Sequence, residues 1–253
     1  MISVFDTPEF NGNLFFPRPD RSPPPSGKNE IYIDVESSIR IHARQYPFVQ
    51  AKFSLIYFHG NGEIVSDYDE MEEPFKKLCA ELIVCDYRGY GKSSGTPTLR
   101  TVLKDAHVVY QTLERNMQLK KQVYVMGRSL GSAPAIELCS SYPSIAGCII
   151  ESGYADPIPL VERRGLRVQS ISPEDDALFS NSRKIAGVLC PLLILHGAED
   201  RLILPKEAEL NYQKAGSQSK TLKILPGVGH NDIIMADTYF SCLHEFFTSH
   251  QSL

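Results

Sequence analysis

Apolar residues along this chain fall into short runs separated by amphipathic stretches. Two early segments, 31–35 and 39–45, alternate apolar and polar positions on either side of Glu36-Ser37-Ser38. Successive side chains of a strand point to opposite faces, so alternation about a polar turn predicts an antiparallel hairpin. Further on, apolar runs at 53–58, 81–85, 122–126, 148–150, 192–195 and 221–225 predict strands. Helices are predicted between them, near 67–79, 99–117, 130–141, 205–214 and 234–247. In the second of these, Val102, Ala106, Val109, Tyr110 and Leu113 recur at helical spacing. Strands that alternate with helices predict an α/β fold with a mainly parallel sheet, an N-terminal antiparallel hairpin and helices on both faces. Right-handed crossovers follow.

Two stretches depart from this rhythm. Residues 17–27, PRPDRSPPPSG, hold five prolines. Proline fixes φ and donates no hydrogen bond to a sheet, so residues 1–28 are expected to form an N-terminal arm. Residues 154–184 are rich in proline, arginine and acidic residues and interrupt the strand-helix alternation. A long excursion inside a compact domain is usually functional, and here a small cap over the strand ends is expected. There is no internal repeat, and residues 1–253 are assigned to one domain.

Composition narrows the function. With 253 residues, 42% of them hydrophobic and a net charge of −4, the chain can bury a sizeable core. No lysine or arginine run is dense enough for a nucleic-acid or anionic-lipid patch, so no nucleic-acid partner is expected. Most of the six cysteines sit inside apolar runs and are expected to be reduced and buried. None has zinc-ligand spacing, so neither a metal nor another cofactor is expected. No apolar run reaches the ~18 residues of a membrane span. The start, MISVFDTPEF, lacks the flanks of a signal peptide, and a cytoplasmic location is the expectation.

The strongest chemical signal is Gly127-Arg128-Ser129-Leu130-Gly131. It has the Gly-x-Ser-x-Gly form of a nucleophile elbow, and it lies between a predicted strand and a predicted helix. A serine there stands exposed above the sheet, while the helix N-terminus favours developing negative charge. Serine needs a base. Of the seven histidines, His230 is the best candidate, in the loop after the last predicted strand. Asp200 follows strand 192–195 and is the expected orienting acid, with Glu199 a neighbouring competitor. Glu151, at the end of strand 148–150, is an alternative acid or a structural acceptor. The order Ser, Asp, His and placement at the carboxyl ends of strands carry the inference. Oxyanion donors are assigned to the N–H groups of Leu130 and Asn61, with Gly62 the near alternative to Asn61. His59 is expected to brace that loop; Asp86 and Arg88 are expected to brace the neighbouring one, with contact to substrate the alternative.

With YFHGNGE at 57–63, DYRGYGKSSG at 86–95, GRSLGS at 127–132, HGAEDRLILP at 196–205 and GHND at 229–232, the chain resembles the α/β-hydrolase superfamily. Within it, the chain is similar to small intracellular serine hydrolases that include protein depalmitoylases. Those depalmitoylases carry a cysteine-rich, lipidated N-terminus, where the proline-containing arm is expected in this sequence. The resemblance implies a serine esterase or thioesterase acting on a small-molecule or acylated substrate. A serine peptidase for short peptides and a non-catalytic binding scaffold are the alternatives.

Overall fold

The computed structural model describes residues 3–116 and 119–250. The last position of the predicted 99–117 helix, the start of the 1–28 arm and both ends of the 1–253 assignment lie outside the described residues. Eight strands form one sheet: β1 (Asn29–Glu36), β2 (Ile39–Tyr46), β3 (Phe53–Phe58), β4 (Ala80–Cys85), β5 (Val123–Arg128), β6 (Gly147–Glu151), β7 (Leu192–Gly197) and β8 (Lys220–Leu225). Their order is β1-β2-β4-β3-β5-β6-β7-β8. β1 and β2 pair antiparallel, β2 runs antiparallel to β4, and all later pairings are parallel. The expected mainly parallel sheet with an N-terminal hairpin is thus the observed one.

Nine helices accompany the strands among the described residues: α1 (Pro8–Leu14), α2 (Glu72–Lys77), α3 (Leu99–Arg115), α4 (Ser132–Ser141), α5 (Ile158–Glu162), α6 (Pro173–Phe179), α7 (Asn181–Lys184), α8 (Pro205–Lys214) and α9 (Tyr239–His250). They explain the continuous apolar strands. Every residue of β3 to β7 is buried, because both faces of a parallel sheet are covered. The two-residue period then sorts each strand between two cores. Ile56, Ile83, Val125 and Ile150 pack on the side of α3 and α4. Leu55, Tyr57, Leu82, Val84, Met126 and Ile149 pack with Phe75 of α2 and with Leu243, Phe246 and Phe247 of α9.

The expected arm is corrected over its first half. A 3-10 turn at Val4–Asp6 leads into α1, whose N-cap is Thr7 with Pro8 in the first turn. Phe5, Phe10, Leu14 and Phe15 are buried in the α3/α4 core. The proline run dominates the sequence pattern downstream of this helix, and a seven-residue helix is too short to display periodicity. Two helix starts also differ from expectation. Residues Val65–Met71 form a 3-10 helix before α2, and the extended backbone of Ala236 delays α9 to Tyr239.

Candidate active site

Ser129 occupies the turn between β5 and α4 with φ 51°, in the left-handed region that non-glycine residues rarely enter. The turn is this tight because two glycines flank it. A Cβ on Gly127 would stand 2.1 Å from the Gly131 carbonyl oxygen, and one on Gly131 would stand 2.0 Å from that of Phe58. Substitution at Gly131 would therefore push the turn off the end of β3. Strain of this kind persists where surrounding structure over-determines it, which is common at functional sites.

β7 and β8 deliver the other two groups. Gly197, at the end of β7, lets the 198–203 loop lie against the 226–232 loop, since a Cβ there would meet the Gly229 carbonyl oxygen at 2.5 Å. His230 Nε2 lies 3.0 Å from Ser129 Oγ, and His230 Nδ1 lies 2.7 Å from Asp200 Oδ2. An ionised carboxylate only accepts, so Nδ1 carries the hydrogen and Nε2 is left to accept the hydroxyl proton. Asp200 Oδ1 accepts from the Leu202 and Ile203 amides, each at 2.9 Å. His196 Nε2, which donates to the Ile203 carbonyl, also lies 3.3 Å from Asp200 Oδ2. Burial pushes the Asp200 carboxyl up, but hydrogen bonds from His196, His230 and the Ile203 amide outweigh it and hold the group well below the usual carboxylate range. Glu199 is exposed, whereas Asp200 is buried against the histidine.

Glu151 sits elsewhere. Its carboxylate accepts from the Tyr239 hydroxyl at 2.5 Å and from Arg128 Nε at 3.1 Å. Burial raises its pKa, with Arg128 and Tyr239 opposing. Arg128 is the residue that sequence reasoning missed. Its guanidinium also pairs with Glu63 and donates to the His230 carbonyl at 3.0 Å and to Asn231 Oδ1 at 3.2 Å. One side chain thus ties the Ser129 turn to β6, to the loop after β3 and to the histidine loop. The one available signal was a charged residue inside the elbow motif.

The loop after β3 carries Asn61, which lines the same pocket as Ser129 and Leu130. Its amide has no acceptor among the turn and loop hydrogen bonds. The Leu130 amide lies in the first turn of a helical segment, where intrahelical acceptors are absent. The Asn61 side chain faces the N-terminal segment: Nδ2 donates to the Leu14 carbonyl at 2.6 Å, and Oδ1 accepts from the Phe16 amide and the Tyr90 hydroxyl. Gly62 adopts φ 77° and accepts from Arg18. His59 Nδ1 donates to the Gly60 carbonyl at 2.8 Å. Asp86 accepts from the Val65 amide and His42, and Arg88 pairs with Asp105, so both brace loops and neither lines the pocket.

The pocket measures about 190 Å³. Ser129 is only 6% exposed, so a substrate reaches it through this opening. Leu14, Phe16, Leu160, Leu202 and Ile203 form its apolar walls, and Arg164 stands at its rim. Leu160 and Arg164 come from the 154–184 excursion, which holds α5, α6 and α7. Among the described residues, no cluster of three or more His, Cys, Asp or Glu side chains is arranged for a metal ion, and no helix is long and apolar enough to cross a membrane.

The family model described as serine aminopeptidase, S33, matches residues 49–170 and 159–235. Alpha/beta hydrolase domain-containing protein 17B of Homo sapiens is 28% identical over 204 residues, 78% of this chain and 66% of that protein. This chain therefore spans about two thirds of that relative's length. Protein bem46 of Schizosaccharomyces pombe is 28% identical over 91% of this chain and 82% of its own. An esterase of Pyrococcus furiosus shares the fold with a TM-score of 0.74 at 18% identity, covering 93% of this chain and 99% of its own.

Proposed function

This chain belongs to the α/β-hydrolase family described as serine aminopeptidase, S33, and we propose that within it the chain is a serine hydrolase of carboxylic esters or thioesters. The observation that carries this reading is the Ser129–His230–Asp200 relay, with contacts of 3.0 and 2.7 Å at the floor of an open pocket. Ser129 Oγ attacks the acyl carbon as His230 Nε2 takes its proton. Asp200 holds the imidazole in the required tautomer and stabilises the imidazolium. The Leu130 and Asn61 amides receive the oxyanion. His230 then protonates the leaving group, and water cleaves the acyl-enzyme by the reverse sequence.

The family description raises an aminopeptidase as the second reading. Such an enzyme must hold the substrate's free ammonium group, and a carboxylate is the usual partner for a buried cation. Among the described residues, those lining this pocket include two arginines and no aspartate or glutamate. That charge pattern favours esters.

Fluorophosphonate labelling tests the reading, together with hydrolysis of p-nitrophenyl esters, acyl thioesters and aminoacyl p-nitroanilides. Wild type is expected to label and to cleave the first two classes. Ser129→Ala should abolish labelling and cost on the order of 10⁴-fold or more in kcat. Retained turnover in that variant would remove Ser129 as nucleophile.

A further inference from the structure

Arg164 is a cation without an anion. Its guanidinium lies at the rim of the Ser129 pocket, stacked 4.7 Å from the Phe16 ring and donating to the Asn13 carbonyl. It forms no ion pair among the described residues, in contrast to the adjacent Arg163 and to Arg18. Arg163 pairs with Glu207 and Arg18 with Asp67. The second arginine of the pocket, Arg128, is neutralised by Glu63 and Glu151. Among the described residues no carboxylate lines the pocket, although the chain as a whole carries a net charge of −4. Positive potential is therefore concentrated where substrate enters, beside the apolar walls of Leu14, Leu160 and Leu202.

Resting on the serine hydrolase reading, we infer that Arg164 selects esters or thioesters that carry an anionic group close to the scissile bond. The guanidinium's remaining N–H groups pair with a carboxylate or phosphate while the acyl or leaving group lies along the apolar wall. Stacking on Phe16 fixes the guanidinium plane and lowers the entropy lost on pairing.

The test is a ratio of kcat/KM values, corrected for spontaneous hydrolysis, in two arms. In the acyl arm, mono-p-nitrophenyl glutarate is compared with p-nitrophenyl valerate. In the leaving-group arm, S-(2-carboxyethyl) thiobutyrate is compared with S-butyl thiobutyrate, which places the carboxylate close to the scissile bond and keeps the length. Wild type should favour the anionic member of at least one pair by about two- to fivefold, the range for an exposed ion pair. The arm that shows the preference identifies the side on which the anion sits. In that arm the preference should shrink with added salt. Arg164→Gln should bring the ratio to unity and Arg164→Glu should invert it, while Arg164→Lys should keep part of it. Because each ratio is taken within one variant, a general loss of activity cancels, and the wild-type salt series stands even where a variant folds poorly. Turnover of all four substrates with ratios near unity, or a preference unchanged in Arg164→Gln, would overturn the inference alone. No turnover of any substrate, with no fluorophosphonate labelling, would overturn the hydrolase reading as well.

Discussion

Arg128 shows why the candidate site was only partly legible at the residue scale. Ser129, His230 and Asp200 announce themselves through local signals, a five-residue motif and two glycine-flanked loops. Arg128 acts through contacts with Glu63, Glu151 and the His230 carbonyl, residues far away in sequence that only folding brings together. It also separates the two candidate acids. Glu151 is held by Arg128 and Tyr239, and Asp200 by His230 and His196. Asp200→Asn is therefore expected to lower kcat by about 10⁴-fold, because an amide neither favours the productive tautomer nor stabilises imidazolium. Glu151→Gln leaves that relay intact and should cost far less in kcat. A burst and steady-state assay of both variants decides between them, and a reversed order of severity would make Glu151 the acid.

At the scale of elements, strands and long helices were legible because burial imposes a period on the sequence, while short elements were not. The helix α1 has the Thr7 cap and Pro8, yet its seven residues bury Phe10 and Leu14 in the core that also holds the apolar faces of α3 and α4, without a repeating stripe. In the proposed mechanism the position of α1 bears on the oxyanion site, since Leu14, its last residue, and Phe16 just beyond it hold the Asn61 side chain. Two variants separate its roles. Phe10→Ala removes a fully buried ring and should cost about 3–5 kcal/mol, lowering Tm by at least ~6 °C. Asn61→Ala keeps the backbone N–H but frees its loop. It is expected to lower kcat about 10- to 100-fold with a smaller change in KM, as a misplaced oxyanion donor would. If Asn61→Ala raises KM alone, the loop binds substrate and does not stabilise the oxyanion. The 154–184 excursion was visible as a break in rhythm, but that it brings Leu160 and Arg164 to the pocket depends on packing that no local pattern encodes.

At the scale of the whole molecule, buried ionisable groups set the range of pH over which the fold holds. Beside the loop after β3, His42 bridges Asp86 and Glu30, and Arg44 pairs with Glu30 and Asp69. Burial pushes the Asp86 carboxyl up, but hydrogen bonds from His42 and His59 outweigh it and lower its pKa to about 2 from an ordinary 3.8. Glu30 is likewise lowered to about 2, with Arg44 and Lys92 outweighing its desolvation. Asp200 is lowered as well. A carboxyl whose pKa is depressed on folding binds its proton more readily in the unfolded chain. Its contribution is complete above the unfolded pKa and disappears as pH falls through the folded one. For Asp86 that amounts to about 2 kcal/mol. Glu151, raised by burial, carries the opposite slope and offsets part of the total. On the alkaline side, burial holds the phenols of Tyr57, Tyr68, Tyr87 and Tyr239 well above their ordinary 10.0, so their contribution is complete below pH 10 and is lost as pH rises beyond it. Thermal unfolding followed across pH should therefore show a plateau between about pH 5 and 9, a fall in Tm from about pH 4 toward 2, and a second fall above about pH 10. Asp86→Asn should lower the plateau and flatten the acid limb together, because the variant has lost the group whose protonation that limb records. A wild-type Tm that stays level from pH 5 to 2.5 would show that these carboxylates are no more strongly held in the folded protein than in the unfolded chain.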